Sequence, residues 1–275
     1  MTAIIRPPKL RKYPDPFIAP IFGRRGPCAL CQNYSQLTEN HVPPEGVGNF
    51  DRWIAQSYMT TVTANPDMYF GRQFPGGIRF RTLCQTCNNS LGGSEDRALI
   101  DFYDRVRKLL ATPLNLPGLM RVPAKPNLII RGLLAHIASA NDNGIPTPFD
   151  REARDIFLGK QSLRLNSWNL FYWLYLGEEI FLMRSAFLTR WHPTVKLNEV
   201  YLLKCSPLAF MFTRDPQFHG LPNMLKFVKN RNQEEVELPI LLDRRESNTV
   251  WPATTARNQI ILLAGASYGF VARQD

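Results

Sequence analysis

Four of the chain's five cysteines fall into two short repeats, Cys28-x-x-Cys31 and Cys84-x-x-Cys87, separated by 52 residues. Two residues between cysteines let both sulfurs of a tight turn reach one ion at about 2.3 Å, and two such knuckles complete a closed, tetrahedral, structural Zn2+ site. A single pair would serve equally well as a redox dithiol; the second pair argues for metal. The gap is longer than that of a compact zinc ribbon, so the ion would join segments distant in sequence. Residues 27–93 are rich in turn signals such as GVGN, ANPD and FPGG and poor in apolar periodicity, so they need such a staple. Cys205 sits inside an apolar run and reads as a small buried hydrophobe.

Metal rather than disulfide chemistry also suits the expected compartment. The first residues lack the apolar core and cleavage site of a secretory signal. No apolar run approaches the ~18 residues of a spanning helix, the closest, FYWLYLGEEIFLM, being broken by Gly177, Glu178 and Glu179. The expectation is a soluble cytoplasmic protein with no membrane partner. The net charge of +10 favours a polyanionic partner. That charge is split: +5 over residues 1–25, zero over 26–120 and +5 over 121–275.

The chain divides into four parts. Residues 1–26, RPPKLRKYPDPFIAP at their heart, form a basic, proline-rich arm, either a strap on the body or a contact to a nucleic-acid backbone. Residues 27–111 hold the knuckles and end in a helix over 94–111, with Ser94 as N-cap and a stripe of Leu99, Phe102, Tyr103, Val106, Leu109 and Leu110. Prolines at 113, 117, 123 and 126 mark a linker over 112–126. Residues 127–275 form an α+β domain: helices over 127–142 and 149–161, then antiparallel strands from about residue 168. Its aromatic cluster, Trp168, Phe171, Tyr172, Trp173 and Tyr175, reads as sheet core, with base stacking as the alternative. This half carries no catalytic motif and could recognise a target, sense a signal or dock a partner protein.

Between the knuckles stands Leu37-Thr38-Glu39-Asn40-His41-Val42-Pro43-Pro44, and after the second one Asn88-Asn89. Together with both Cys-x-x-Cys pairs this resembles the HNH endonuclease family, in its zinc-stapled subgroup, over about residues 27–111. The fold class implied is α+β: an N-terminal zinc-stapled ββα-metal module followed by the α+β domain with its antiparallel sheet. By the resemblance His41 is the general base, while Asn40 and Asn88 hold a catalytic Mg2+ or Mn2+. The activity implied is metal-dependent hydrolysis of nucleic-acid phosphodiesters, DNA foremost. A cutting role in a prokaryotic defence or mobile-element system is compatible with it.

The chemistry is coherent by itself. Phosphodiester hydrolysis needs a deprotonated water and a cation on the phosphoryl group. A histidine titrating near neutrality suits the first task, and hard oxygen ligands suit Mg2+. Arg79 and Arg81 share a strand face and could hold phosphate or form a solvated edge. The family usually has an acid directly before the histidine, where this chain has Asn40; Glu39, Glu95 and Asp96 are the nearby acids. The family's middle asparagine has no clear equivalent, Asn49 in GVGNF being the nearest, and residues 49–81 form a long insertion that could gate the site or bind a partner. The second reading is a zinc-stapled binding module in which Asn40 marks lost catalysis. Metalloprotease, base-deaminase and glycine-rich phosphate-loop motifs are all missing from the sequence.

Overall fold

The structure is a computed structural model and describes residues 12–13, 23–63, 69–141, 146–163, 165, 167–190, 197–215, 220–242 and 259–274. Most of the expected basic arm, 1–26, lies outside the described residues. In chain order the first half holds β1 (Lys12–Tyr13), β2 (Arg25–Pro27), β3 (Tyr34–His41), β4 (Trp53–Ser57), α1 (Tyr58–Thr63), β5 (Tyr69–Phe70), β6 (Arg72–Phe74), β7 (Arg79–Cys84), α2 (Gln85–Ser90) and α3 (Asp96–Leu110). The second half holds β8 (Leu119–Ala124), α4 (Pro126–Ser139), α5 (Pro148–Phe157), β9 (Asn169–Leu174), β10 (Ile180–Arg190), β11 (Asn198–Cys205), β12 (Leu208–Thr213), β13 (Val236–Leu241) and β14 (Gln259–Gln274). The architecture is mixed α and β, with antiparallel sheets and few helices. None of the described helices is long and apolar enough to cross a membrane.

The main sheet has seven strands in the order β6-β4-β14-β10-β11-β12-β9, every neighbouring pair antiparallel. Its strands are near-continuous apolar runs because both faces are buried. Tyr172, Leu182, Tyr201, Leu203, Phe210 and Phe212 face the helices in the larger core. Their alternates Phe171, Trp173, Met183, Leu202 and Met211 build a second cluster on the opposite face. The aromatic cluster is thus core, with Trp168, Phe171, Tyr172, Trp173 and Tyr175 all buried.

A smaller sheet, β2-β3-β7, carries the knuckles and His41. It is not an independent body. The insertion supplies β4, buried at all five residues, which pairs with β14 on one side and β6 on the other. One hydrophobic cluster runs from Cys28 to Ala272 through α3, α4 and the sheet. The expected parts 27–111 and 127–275 therefore share a core, and the expected linker 112–126 contains a strand. That strand, β8, pairs with β13 in a two-stranded ribbon in which Pro123 and Pro239 both find places. A two-stranded ribbon leaves the outer N–H of each strand unbonded, so proline costs it little.

The helix expected over 94–111 begins earlier and without the Ser94 cap. α2 passes through a π-helical turn at Leu91–Glu95 into α3, so Ser94 lies inside a continuous helical run. The stripe is as expected at Leu99, Phe102, Tyr103 and Val106, all buried, with Leu109 and Leu110 half-buried. α4 is buried on every side except at Arg131, which makes it the central helix of the core. α5 starts at a capping box: Thr147 N–H donates to Asp150 (2.8 Å) and Asp150 N–H to the Thr147 hydroxyl (3.2 Å), with Pro148 in the first turn.

Candidate metal centre and the face of His41

The first knuckle follows β2 and leans on β7 through Ala29 N–H to Thr82 O (2.7 Å). Arg154 of α5 donates its Nε to Ala29 O (2.6 Å), tying the knuckle to the body. Gln32 closes the turn, with φ of 65° and its amide on Cys28 O (2.8 Å). The second knuckle straddles the junction of β7 and α2: Cys84 ends the strand and caps the helix, and Cys87 lies one turn in.

The four sulfurs all lie within 4.8 Å of one another. Tetrahedral ligands at about 2.3 Å from zinc would sit about 3.8 Å apart, and the Cys31 and Cys84 sulfurs are 3.8 Å apart. Backbone N–H groups of Cys84 and Cys87 point at the sulfurs of Cys28 (3.3 Å) and Cys84 (3.5 Å). The cluster could hold a metal ion such as zinc. Without one the thiols compete. Burial and the neighbouring sulfurs push Cys31 and Cys87 up, while Cys84, against its own burial, is drawn below its usual value by the Cys87 amide and the surrounding thiols. A divalent cation among them removes that conflict.

His41 ends β3, and its Nε2 lies 3.0 Å from Gly76 O. The loop that receives it is clamped by Asn49, which is fully buried. Asn49 Nδ2 donates to Pro43 O (2.7 Å) and Ile78 O (3.0 Å), and its Oδ1 accepts from Ile78 N–H (2.6 Å). Gly77 has φ of +95°, and a Cβ there would meet Asn49 O at 2.1 Å and the His41 ring at 2.7 Å. Only glycine lets the loop close this tightly on both residues. Asn49, the nearest sequence match to the family's middle asparagine, is thus the residue that fixes the turn beside His41.

Cross-strand register places Glu39 opposite Arg81 and His41 opposite Arg79, so these four share one face of the hairpin. One Glu39 carboxylate bridges both guanidiniums, Oε1 to Arg81 (2.6 Å) and Oε2 to Arg79 (3.0 Å). The Arg81 hydrogen bond, with both positive charges, holds that carboxyl below its usual range despite partial burial. Asn40 points the other way. It is buried, donates Nδ2 to Ser139 of α4 (2.9 Å) and accepts from Thr82 at 3.4 Å. Asn88, inside α2, donates Nδ2 to Thr38 Oγ1 (3.1 Å) and to Glu39 O (3.0 Å), stitching helix to hairpin.

The expected pair of metal ligands, Asn40 and Asn88, is therefore not brought to one face: Asn40 is turned into the core, its Oδ1 accepting from Thr82, while Asn88 gives its N–H donors to the hairpin and keeps its amide oxygen for a cation. The three acids expected nearby are all paired. Glu39 is held by the two arginines, Glu95 by Arg131 (3.0 Å) and Asp96 by His136 (2.7 Å). The Asn88 amide oxygen suits a Mg2+ that keeps most of its waters, and supplies no charge to hold it tightly. Three participants were not legible in sequence: Ser139, Thr82 and Gly76 act on this site from other elements. Cys205 is buried as expected, its thiol pushed up to about 12 by burial. The chain matches no family model, and no curated protein or solved structure matches it.

Proposed function

We propose that this chain is a metal-dependent endonuclease that hydrolyses nucleic-acid phosphodiesters, DNA foremost, on the hairpin face of His41. The observation that carries the reading is the convergence of four cysteine sulfurs at the point where the hairpin meets α2. With Nε2–H donated to Gly76 O, the His41 tautomer leaves Nδ1 as the lone pair that takes a proton from water. Arg79 and Arg81, preorganised by Glu39, supply N–H donors for a phosphate on the same face. A hydrated Mg2+ or Mn2+, if held by the Asn88 amide oxygen and the substrate phosphate, would neutralise phosphoryl charge and favour ionisation of a bound water. Zinc at the cysteines is structural and takes no part in the reaction.

A second reading has a specific observation behind it. With every nearby acid already paired and Asn40 in the usual place of an acid, the module could bind nucleic acid or a protein without cutting. A plasmid-relaxation assay with Mg2+ or Mn2+ separates the two. Wild type should nick, and His41→Ala should fail to nick while keeping its zinc and its fold. Equal nicking by both proteins would remove His41 as the base, and binding without cleavage at every metal concentration would favour the second reading.

A further inference from the structure

Away from the hairpin, a cleft of about 570 Å3 lies between the start of α4, the 159–163 turn and the 228–232 loop. Its volume falls in the range that holds a nucleotide-sized molecule. Arg131, Lys160 and Lys229 line it, and none of the described lining residues is acidic. Among the described residues neither Lys160 nor Lys229 has an ion pair. Lysines without an ion-pair partner on the wall of one concave space attract an anion.

The cleft is preformed. Asn127, almost wholly buried, holds the 228–232 loop by donating to Lys229 O (2.7 Å) and accepting from Lys229 N–H (2.9 Å). Arg131 is fixed as a wall by three bonds, to Glu95 (3.0 Å), Ile156 O (3.0 Å) and Phe157 O (2.8 Å). Its charge is met by Glu95, so the two lysines are the groups left to contact a ligand. Gln161, Asn230 and Asn232 add amide groups, and none of the described lining residues carries an aromatic ring to stack a base.

We infer that this cleft binds the phosphate groups of a nucleotide-sized molecule through Lys160 and Lys229. The inference stands apart from the nuclease reading, because its readout is binding and needs no cleavage. Two sources share the chemistry, a free nucleotide and a nucleic-acid backbone, and a concave space of about 570 Å3 favours the free nucleotide.

Isothermal titration of the full chain with ADP, pyrophosphate, citrate and a 12-nucleotide single strand tests it. ADP and pyrophosphate should bind, and Lys160→Ala/Lys229→Ala should weaken both by about tenfold per lysine. The control Lys108→Ala/Lys226→Ala, which removes the same charge outside the cleft, should bind like wild type. The inference fails if neither ADP nor pyrophosphate binds, if citrate binds as well as they do, or if the control loses as much as the cleft variant. Binding of the oligonucleotide alone would assign the cleft to a backbone and overturn the small-ligand form.

Discussion

Replacing Asn49 with alanine probes how the loop beside His41 is held. The side chain makes three hydrogen bonds, of 2.6, 2.7 and 3.0 Å, at a position with 0% exposure. Alanine strands Ile78 N–H and Pro43 O, while Ile78 O keeps the Val42 N–H at 3.0 Å. Each of the two buried polar groups stranded this way costs roughly 1–3 kcal/mol, and a water entering the vacated space recovers part, so the expected loss is about 2–4 kcal/mol. That is a large fraction of a typical domain's ~5–15 kcal/mol. Because one core spans both halves, the loss should appear in a single cooperative urea transition followed by tryptophan fluorescence. Asn49→Asp gives a sharper comparison. It keeps an acceptor for Ile78 N–H but sets a carboxylate against two carbonyls, so it should cost at least as much as alanine. A loss below about 1 kcal/mol for either variant, at unchanged m-value, would refute the clamp.

Two further outcomes follow from the described geometry. Cys84→Ser should reduce the yield of folded protein together with zinc content, since the metal joins segments that have little periodicity of their own; soluble, zinc-free, fully folded protein would contradict a structural role. Lys204 is 2% exposed, lies 4.7 and 5.0 Å from the rings of Tyr175 and Phe181, and is pushed down to about 8 by burial. A lysine titrates near 10.4 when unfolded, so between about pH 8 and 10.4 the unfolded chain holds more protons and stability rises with pH. Lys204→Met should abolish that rise and add about 1–3 kcal/mol at pH 7, after allowing for the lost ring contacts. The test is the wild-type-minus-variant difference in urea stability at pH 7, 8 and 9.5, and a difference that does not change with pH would contradict the burial argument.

Local signals carried much of the architecture into the sequence. Cysteine spacing announced the metal cluster, the stripe from Leu99 to Val106 marked α3, and continuous apolar runs marked a sheet buried on both faces. Long-range pairing was not legible. β4 looks like part of a loop-rich insertion until β14, more than 200 residues later, pairs with it. β8 hides in proline punctuation because only a ribbon of two strands tolerates those prolines. Ser94 carried a helix-start signal, but α2, begun at the second knuckle, already ran through it by way of the π turn. At the site, strand alternation alone would have separated Asn40 from His41, yet its partner, Ser139 on α4, stands 99 residues away. Separation in sequence hides the cleft too: Lys160 and Lys229 line one space because Asn127 holds the loop that carries Lys229.

Zinc K-edge absorption on the purified chain, combined with metal analysis, bears most directly on the convergence of Cys28, Cys31, Cys84 and Cys87. The geometry predicts one zinc per chain with four sulfur neighbours at about 2.3 Å. Metal well below one equivalent in folded protein, or a first shell containing nitrogen or oxygen in place of sulfur, would contradict it.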